Sequence, residues 1–306
     1  MIVAITGANG FIGQHLVHQF ADRGWTVREV VRDDFERRRI GELFRGVDAV
    51  VHSAGATRAP SVVQLRESNV ELTGVVADAA RSAGVKRLIF VSSLAAIGPS
   101  ASRDKAVSEA TPTAPAEPYG RSKLDAEAIV RASGVPFTIV RPAAVYGPRD
   151  ADFLELFRIA RYGLALHPGN REQWISIIHA RDLADAIVSV AETDEAVGRV
   201  YCLGNETPVQ WAELFSIAAE CAGKHVRLDV ELPSWVVRIG ATLGDVIAKA
   251  TGKAGLWTTG KTELAKPAAW VCSSELARRE LALGPETPIE RGFCETYRWY
   301  VDHGWL

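Results

Sequence analysis

Tyr119 and Lys123 stand four residues apart in Tyr119-Gly120-Arg121-Ser122-Lys123, a spacing that puts a phenol and an ammonium on one helix face. A free phenol with a pKa near ~10 relays protons poorly at neutral pH, but a neighbouring cation stabilises the phenolate and lowers that value. The pair is expected to move a proton to or from a carbonyl or alcohol oxygen. Alone, such a pair is commonly a solvated helix contact; its context gives it meaning. It follows an apolar run ending Phe90-Val91-Ser92-Ser93, where Ser93 is placed either to hydrogen-bond the reacting oxygen or to cap the next turn.

A second chemical signal lies at the first apolar run, Ile2 to Ile5. It is followed by Thr6-Gly7-Ala8-Asn9-Gly10-Phe11-Ile12-Gly13 and then by a helical stretch near Gln14. Strand, glycine turn and helix start converge backbone N–H groups and the positive helix end on one point, where a pyrophosphate can sit. Gly7 permits the turn, Gly10 lets backbone approach phosphate, and Gly13 allows tight helix-to-sheet packing. The second strand ends Val30-Val31-Arg32-Asp33-Asp34. An acid at this tip favours NAD and an arginine a 2′-phosphate, so Arg32 predicts NADP while Asp33 keeps NAD open.

These groups must be positioned by a sheet. Ile2 to Ile5, Val27 to Val31, Ala49 to His52, Arg87 to Ser92 and Phe137 to Arg141 read as strands. Between them His15 to Arg23, Asn69 to Ala83 and Ser122 to Ala132 read as helices. The alternation predicts an α/β, doubly wound parallel sheet of Rossmann type with a smaller C-terminal substrate lobe. A proline-rich run from Gly98 to Pro118 is expected to be a long functional loop. We expect a dinucleotide domain over 1–165, a return to it over 174–192, and a lobe mainly over 166–306. That second half holds Trp174, Trp211, Trp235, Trp257, Trp270, Trp299 and Trp305.

The chain has 306 residues, 47% hydrophobic and 24% charged, with a mean hydropathy of +0.03, which excludes disorder. A net charge of −2 is too balanced for a nucleic-acid partner. Cys202, Cys221, Cys272 and Cys294 show no CxxC and read as buried thiols of a cytoplasmic protein. Trp235 to Ala250, the most apolar late stretch, is interrupted by Arg238, Asp245 and Lys249; it falls short of the ~20 residues a membrane span needs and reads as an amphipathic, packed helix. His52, His167 and His179 lack metal-ligand spacing and are expected to be structural.

Taken with Arg141-Pro142-Ala143-Ala144-Val145-Tyr146-Gly147-Pro148 and Ser176-Ile177-Ile178-His179-Ala180-Arg181-Asp182-Leu183, the chain resembles an extended short-chain dehydrogenase/reductase over nearly its full length. The resemblance implies that Ser93, Tyr119 and Lys123 are catalytic and that Asn69 lies near the nicotinamide. It assigns the cofactor to Gly7, Asn9, Gly10, Phe11, Ile12, Gly13, Arg32, Ser53, Ala54, Gly55, Ser92, Tyr119, Lys123, Pro142, Ala143 and Val145. Thr57, Ala95, Ala144, Phe153 and Trp174 are the candidate substrate contacts. A homodimer through the helices near Asn69 to Ala83 and Ser122 to Ala132 is also implied.

The chain departs from the nucleotide-sugar branch. Ala144 replaces a common asparagine and Ile175 stands where an arginine holds the sugar diphosphate. Phe153, Leu154, Trp174, Ile175 and Ile177 suggest an apolar pocket instead. This resembles the 3β-hydroxysteroid dehydrogenase and dihydroflavonol reductase branches. Hydride transfer between NADP or NAD and a small apolar hydroxy or keto substrate is therefore expected. A nucleotide-sugar epimerase or dehydratase with tightly bound NAD, and a non-catalytic NADP-sensing protein, are the alternatives. Only Asp33 to Gly46 separates the second strand from Val47, so a strand usual in the family is expected to be missing or short.

Overall fold

The strands begin and end where β-branched runs meet glycine turns. The computed structural model describes residues 1–37, 39–167, 169–233, 235–242 and 267–306. In chain order come β1 (Ile2–Thr6), α1 (Phe11–Asp22), β2 (Thr26–Val30), α2 (Arg32–Glu36), α3 (Ile40–Leu43) and β3 (Ala49–His52). Next are α4 (Val62–Arg66), a π-helical turn (Glu67–Glu71), α5 (Leu72–Ser82), β4 (Arg87–Val91), α6 (Pro118–Ala132), β5 (Phe137–Pro142) and β6 (Ala144–Tyr146). The chain continues through α7 (Leu154–Ala160), β7 (Leu164–His167), β8 (Trp174–Ile175), β9 (Ile177–His179), α8 (Ala180–Glu192) and β10 (Val200–Leu203). Then come β11 (Val209–Gln210), α9 (Trp211–Cys221), β12 (Leu228–Glu231), β13 (Ala269–Trp270), α10 (Glu275–Glu280) and α11 (Ile289–Asp302).

The main sheet has six parallel strands in the order β2-β1-β3-β4-β5-β10. Strand order reverses at β1, whose neighbours are β2 and β3, and this switch point is where open α/β sheets bind ligands. The sheet ends at β2: among the described residues α2 and α3 occupy the short segment before β3 and no strand lies between β2 and β3, in line with the expectation of a missing or short strand. Central β3 and β4 are buried along their whole length, as a sheet covered by helices on both faces requires.

Two apolar clusters each draw on both halves of the chain. One joins β1 and α1 to α8, β10 and Ala277 of α10, so the C-terminal half returns to the dinucleotide layer repeatedly. In the other, Leu154, Phe157 and Ala160 of α7 pack with Phe215 of α9 and Phe293 of α11. The Gly98 to Pro118 run is irregular but anchored to the late chain: the Val107 N–H donates to Val271 O and the Ser273 N–H to Val107 O, both at 2.9 Å.

Cys202 and Cys272 are buried free thiols, but Cys221 and Cys294 form a disulfide with a Cα separation of 4.9 Å. The expectation of four thiols is corrected by packing: α9 and α11 bring these distant cysteines together on facing, partly exposed turns. Of the expected helix from Trp235 to Ala250, residues 235–242 are helical, with Val237 and Ala241 buried and Trp235 and Ile239 exposed. The remainder, and Trp257, lie outside the described residues. Among the described residues no helix is long and apolar enough to cross a membrane.

Candidate active site

The glycine loop leaves β1 at Gly7, whose φ of +72° is the left-handed region that glycine enters without penalty. A Cβ at Gly7 would stand 2.9 Å from the Ala54 backbone, so the loop after β3 is packed directly against it. A Cβ at Gly13 would lie 2.0 Å from the Gly7 carbonyl oxygen, which makes glycine obligatory for α1 to enter this close to the turn. The helix begins at exposed Gly10 without a side-chain cap, leaving its first-turn N–H groups for an anion. This geometry fits a dinucleotide pyrophosphate. Asn9 is exposed and Phe11 and Ile12 are half-buried at the same edge.

His52 tightens this edge. Its Nδ1 meets Thr6 Oγ1 at 2.7 Å and its Nε2 meets Thr73 Oγ1 at 3.0 Å, the structural role expected of it. Ser53 Oγ donates to Thr6 O at 2.7 Å, leaving Ala54 and exposed Gly55 at the surface of the loop. Burial, then the Lys123 charge, pushes the His52 imidazole down to about 3.

At the second strand tip the acids and bases separate. Asp34 is buried, accepts the Val31 N–H at 3.0 Å and pairs with Arg39 at 2.9 Å, so its carboxylate belongs to the start of α2. Asp33 is exposed and pairs with Arg37 at 3.0 Å. Arg32 is exposed and forms no side-chain ion pair among the described residues.

The candidate reactive group, Ser93, Tyr119 and Lys123, lies where α6 packs against the end of β4. Glu117 caps the helix, accepting the N–H groups of Tyr119 and Gly120 at 2.6 Å each, and Pro118 occupies the first turn. These signals start the helix before the expected Ser122. Gly120 lets it approach: a Cβ there would lie 2.2 Å from Ala95 O. Tyr119 is half-buried, with the Ser93 side chain near enough to its phenol to work against the effect of burial on its pKa. Ser93 Oγ accepts the Ala95 N–H at 3.1 Å, the capping role that was one of its two readings.

Lys123 is buried, donates to Val91 O at 2.6 Å and lies 4.3 Å from the Phe90 ring centroid. Burial pushes its ammonium down to about 7, against the raising effect of Glu127. The phenol does not follow the expected downward shift. Burial pushes it up to about 12, opposed by the Ser93 side chain and reinforced by Glu117 and Asp152. Desolvation therefore holds both groups toward their neutral forms.

Asn69, expected to face a nicotinamide, is turned inward. Its Oδ1 accepts the Ala56 N–H at 2.8 Å, and its Nδ2 donates to Ala56 O and Ser122 Oγ at 2.9 Å each. The amide is consumed in holding the loop after β3 onto α6. Ser92 is buried and donates to Glu127 Oε1 at 2.6 Å. Pro142 and Ala143 are buried and Val145 half-buried at the next strand end.

The candidate substrate contacts scatter. Ala144 and Thr57 are exposed, Ala95 is buried beside Gly120, and Trp174 carries the Arg103 guanidinium 4.1 Å from its ring centroid. Phe153, Leu154, Ile175 and Ile177 are core residues of the second cluster, not an open apolar wall. Phe153 packs among Tyr146, Trp211 and Phe293. Sequence reasoning missed Glu117, Gly120 and Glu127; only Glu117, before a proline at a helix start, carried a local signal.

A parallel sheet with an open helix start at its switch point, and Ser93, Tyr119 and Lys123 at the adjoining strand ends, defines an NAD(P)-dependent enzyme of the extended short-chain dehydrogenase/reductase type. Residues 3–204 match the NAD dependent epimerase/dehydratase family, and the chain belongs to that family. It is 31% identical over 324 residues to the ceramide reductase of Caulobacter vibrioides (strain NA1000 / CB15N), covering 100% of this chain and 96% of that one. It is 28% identical to the UDP-glucose 4-epimerase of Vibrio cholerae, covering 82% of this chain and 85% of that one. Its fold is similar to that of the UDP-glucuronic acid 4-epimerase from Bacillus cereus, solved with UDP-glucuronic acid and NAD. The TM-score is 0.79 at 19% identity, over 99% of this chain and 100% of that one.

Proposed function

We propose that the protein is an NADP(H)-dependent oxidoreductase that interconverts a ketone and an alcohol on an apolar substrate, with ceramide-type lipids the first class to assay. The observation that carries this reading is the docking of α6 on the end of β4: Lys123, one helical turn past Tyr119, donates to Val91 O at 2.6 Å two residues before Ser93. A nicotinamide dinucleotide supplies or takes up the hydride. Ser93 hydrogen-bonds the substrate oxygen, and Tyr119, kept protonated by its raised pKa, gives that oxygen a proton in the reducing direction. Lys123 is placed to hold the nicotinamide ribose, and the glycine loop the pyrophosphate.

Two features support the finer choices. The exposed Arg32, which forms no ion pair among the described residues, set against the sequestration of Asp34 in the α2 cap, favours a 2′-phosphate. Ala144 is exposed and Ile175 buried, so neither offers a charged contact to a sugar diphosphate, while the ceramide reductase likeness spans the whole chain. The test is titration with NADPH and NADH, followed by reduction assays on long-chain lipid ketones and on UDP-sugars. Tighter NADPH binding with turnover of the ketones supports the proposal; tightly retained NAD with conversion of a UDP-sugar overturns it.

A further inference from the structure

Beneath the reactive pair lies a charged cluster that the chemistry above does not use. Glu127 sits on α6 one turn past Lys123 and two past Tyr119, and is 1% exposed. Its Oε1 accepts Ser92 Oγ at 2.6 Å and Arg141 Nε at 2.8 Å; its Oε2 accepts an Arg141 terminal nitrogen at 2.7 Å and lies 3.8 Å from that of Arg131. Arg141, 4% exposed, is the last residue of β5 before Pro142. A buried ion pair is weak evidence for stability, since apolar residues of the same volume often serve as well. Its placement here suggests a different use.

Three elements meet at this carboxylate. Ser92 is the neighbour of Ser93, and the Ser92 N–H donates to Val140 O at 2.7 Å, so β4 and β5 end together. Lys123 already holds Val91 O at 2.6 Å. Thus α6 grips consecutive residues of one strand end, through Lys123 at Val91 and through Glu127 at Ser92, while Arg141 ties the same carboxylate to β5. We propose that Glu127 is a positioning residue of the hydride-transfer site. Its carboxylate, clamped by Arg141, holds the end of β4 that leads into Ser93 to the face of α6 that carries Tyr119 and Lys123, and presents a negative charge one helical turn from Lys123. This rests on the dehydrogenase reading of Ser93, Tyr119 and Lys123.

The electrostatic surroundings of Lys123 make the second role specific. His52 of β3 faces the amine but is held neutral by burial, Tyr119 of α6 is held neutral above it, and Arg141 of β5 is engaged by Glu127. Glu127 is the charge that raises the Lys123 pKa against desolvation. Its removal therefore lowers that pKa, and the ammonium is lost at a lower pH.

The experiment measures dissociation constants for NADPH and NADH by fluorescence from about pH 5.5 to about pH 9 for wild type, Glu127→Gln and Glu127→Asp, with thermal melts alongside. For Glu127→Gln, affinity within about twofold of wild type near pH 6 and at least about tenfold weaker near pH 8 is expected, with partial rescue by Glu127→Asp. A uniform loss across pH, tracking a lower melting temperature with the alkaline limb unmoved, would show a merely structural role and overturn the proposal. Should Glu127→Gln not fold, the Glu127→Gln/Arg141→Met variant removes both charges and is expected to show the same limb shift; an unmoved limb there also overturns it. Lys123→Met separates the two readings: weaker binding near pH 6 with the alkaline limb lost upholds the Lys123 assignment, so that an unmoved limb in Glu127→Gln then counts against Glu127 alone, whereas Lys123→Met binding equal to wild type at every pH would overturn the Lys123 assignment and the role of Glu127 with it.

Discussion

Gly13 faces the Gly7 carbonyl so closely that a methyl group on it would stand 2.0 Å from the oxygen. The two glycines therefore define one object, a turn and a helix start locked together, and substitutions within it separate packing from binding.

Gly13→Ala forces the helix away from the turn, and overpacking of this kind costs about 1–3 kcal/mol. A melt should show that loss together with greatly weakened NADPH and NADH binding. At Gly10 an added Cβ meets Gly7 O at 3.1 Å and otherwise faces solvent. Gly10→Ala should melt close to wild type yet lose affinity, so equal affinity losses without any difference in melting would contradict this division.

Tyr119→Phe removes the phenolic hydroxyl while Ser93 keeps the Ala95 N–H as a donor. Turnover should fall by about 10²–10⁴-fold, the usual worth of a positioned acid or base, with cofactor affinity little changed. Steady-state kinetics and fluorescence titration check the two halves separately.

Acid stability follows from buried histidines. His52 and His179 are pushed down to about 3 and about 4 by burial, below the value of ~6.5 they take when unfolded. Between those values the unfolded chain binds more protons, so stability rises with pH there and is lost as pH falls below ~6.5. Each group contributes up to about 1.4 kcal/mol per pH unit. Denaturant melts of His52→Asn between about pH 4 and about pH 7 should show a shallower slope than wild type; an identical slope would remove His52 as a cause.

Thiol titration of the unfolded, unreduced protein should find Cys202 and Cys272 reactive and Cys221 and Cys294 silent. Reduction opens a loop spanning a separation of 73 residues, worth up to about 4 kcal/mol by loop-closure entropy. A melting temperature insensitive to reductant would show that the α9 to α11 contact stands without it.

Local sequence was sufficient wherever one strand, one turn and one helix act together. The glycine loop after β1, the extent of β3, the short segment before Val47 and the Tyr119 to Lys123 spacing are all written within a few consecutive residues, because backbone conformation and side-chain periodicity are local properties. Partner choice was not local. Asn69 is an amide at a helix start until Ala56 and Ser122 surround it, and Ser92 is a strand-end hydroxyl until Glu127 arrives from α6. Phe153 and Ile175 read as pocket lining and became core because α9 and α11 close over them, and the same closure joined Cys221 to Cys294. The fate of the Tyr119 phenol was decided in the same way: spacing brings a lysine near it, but burial, a property of the assembled chain, raises its pKa.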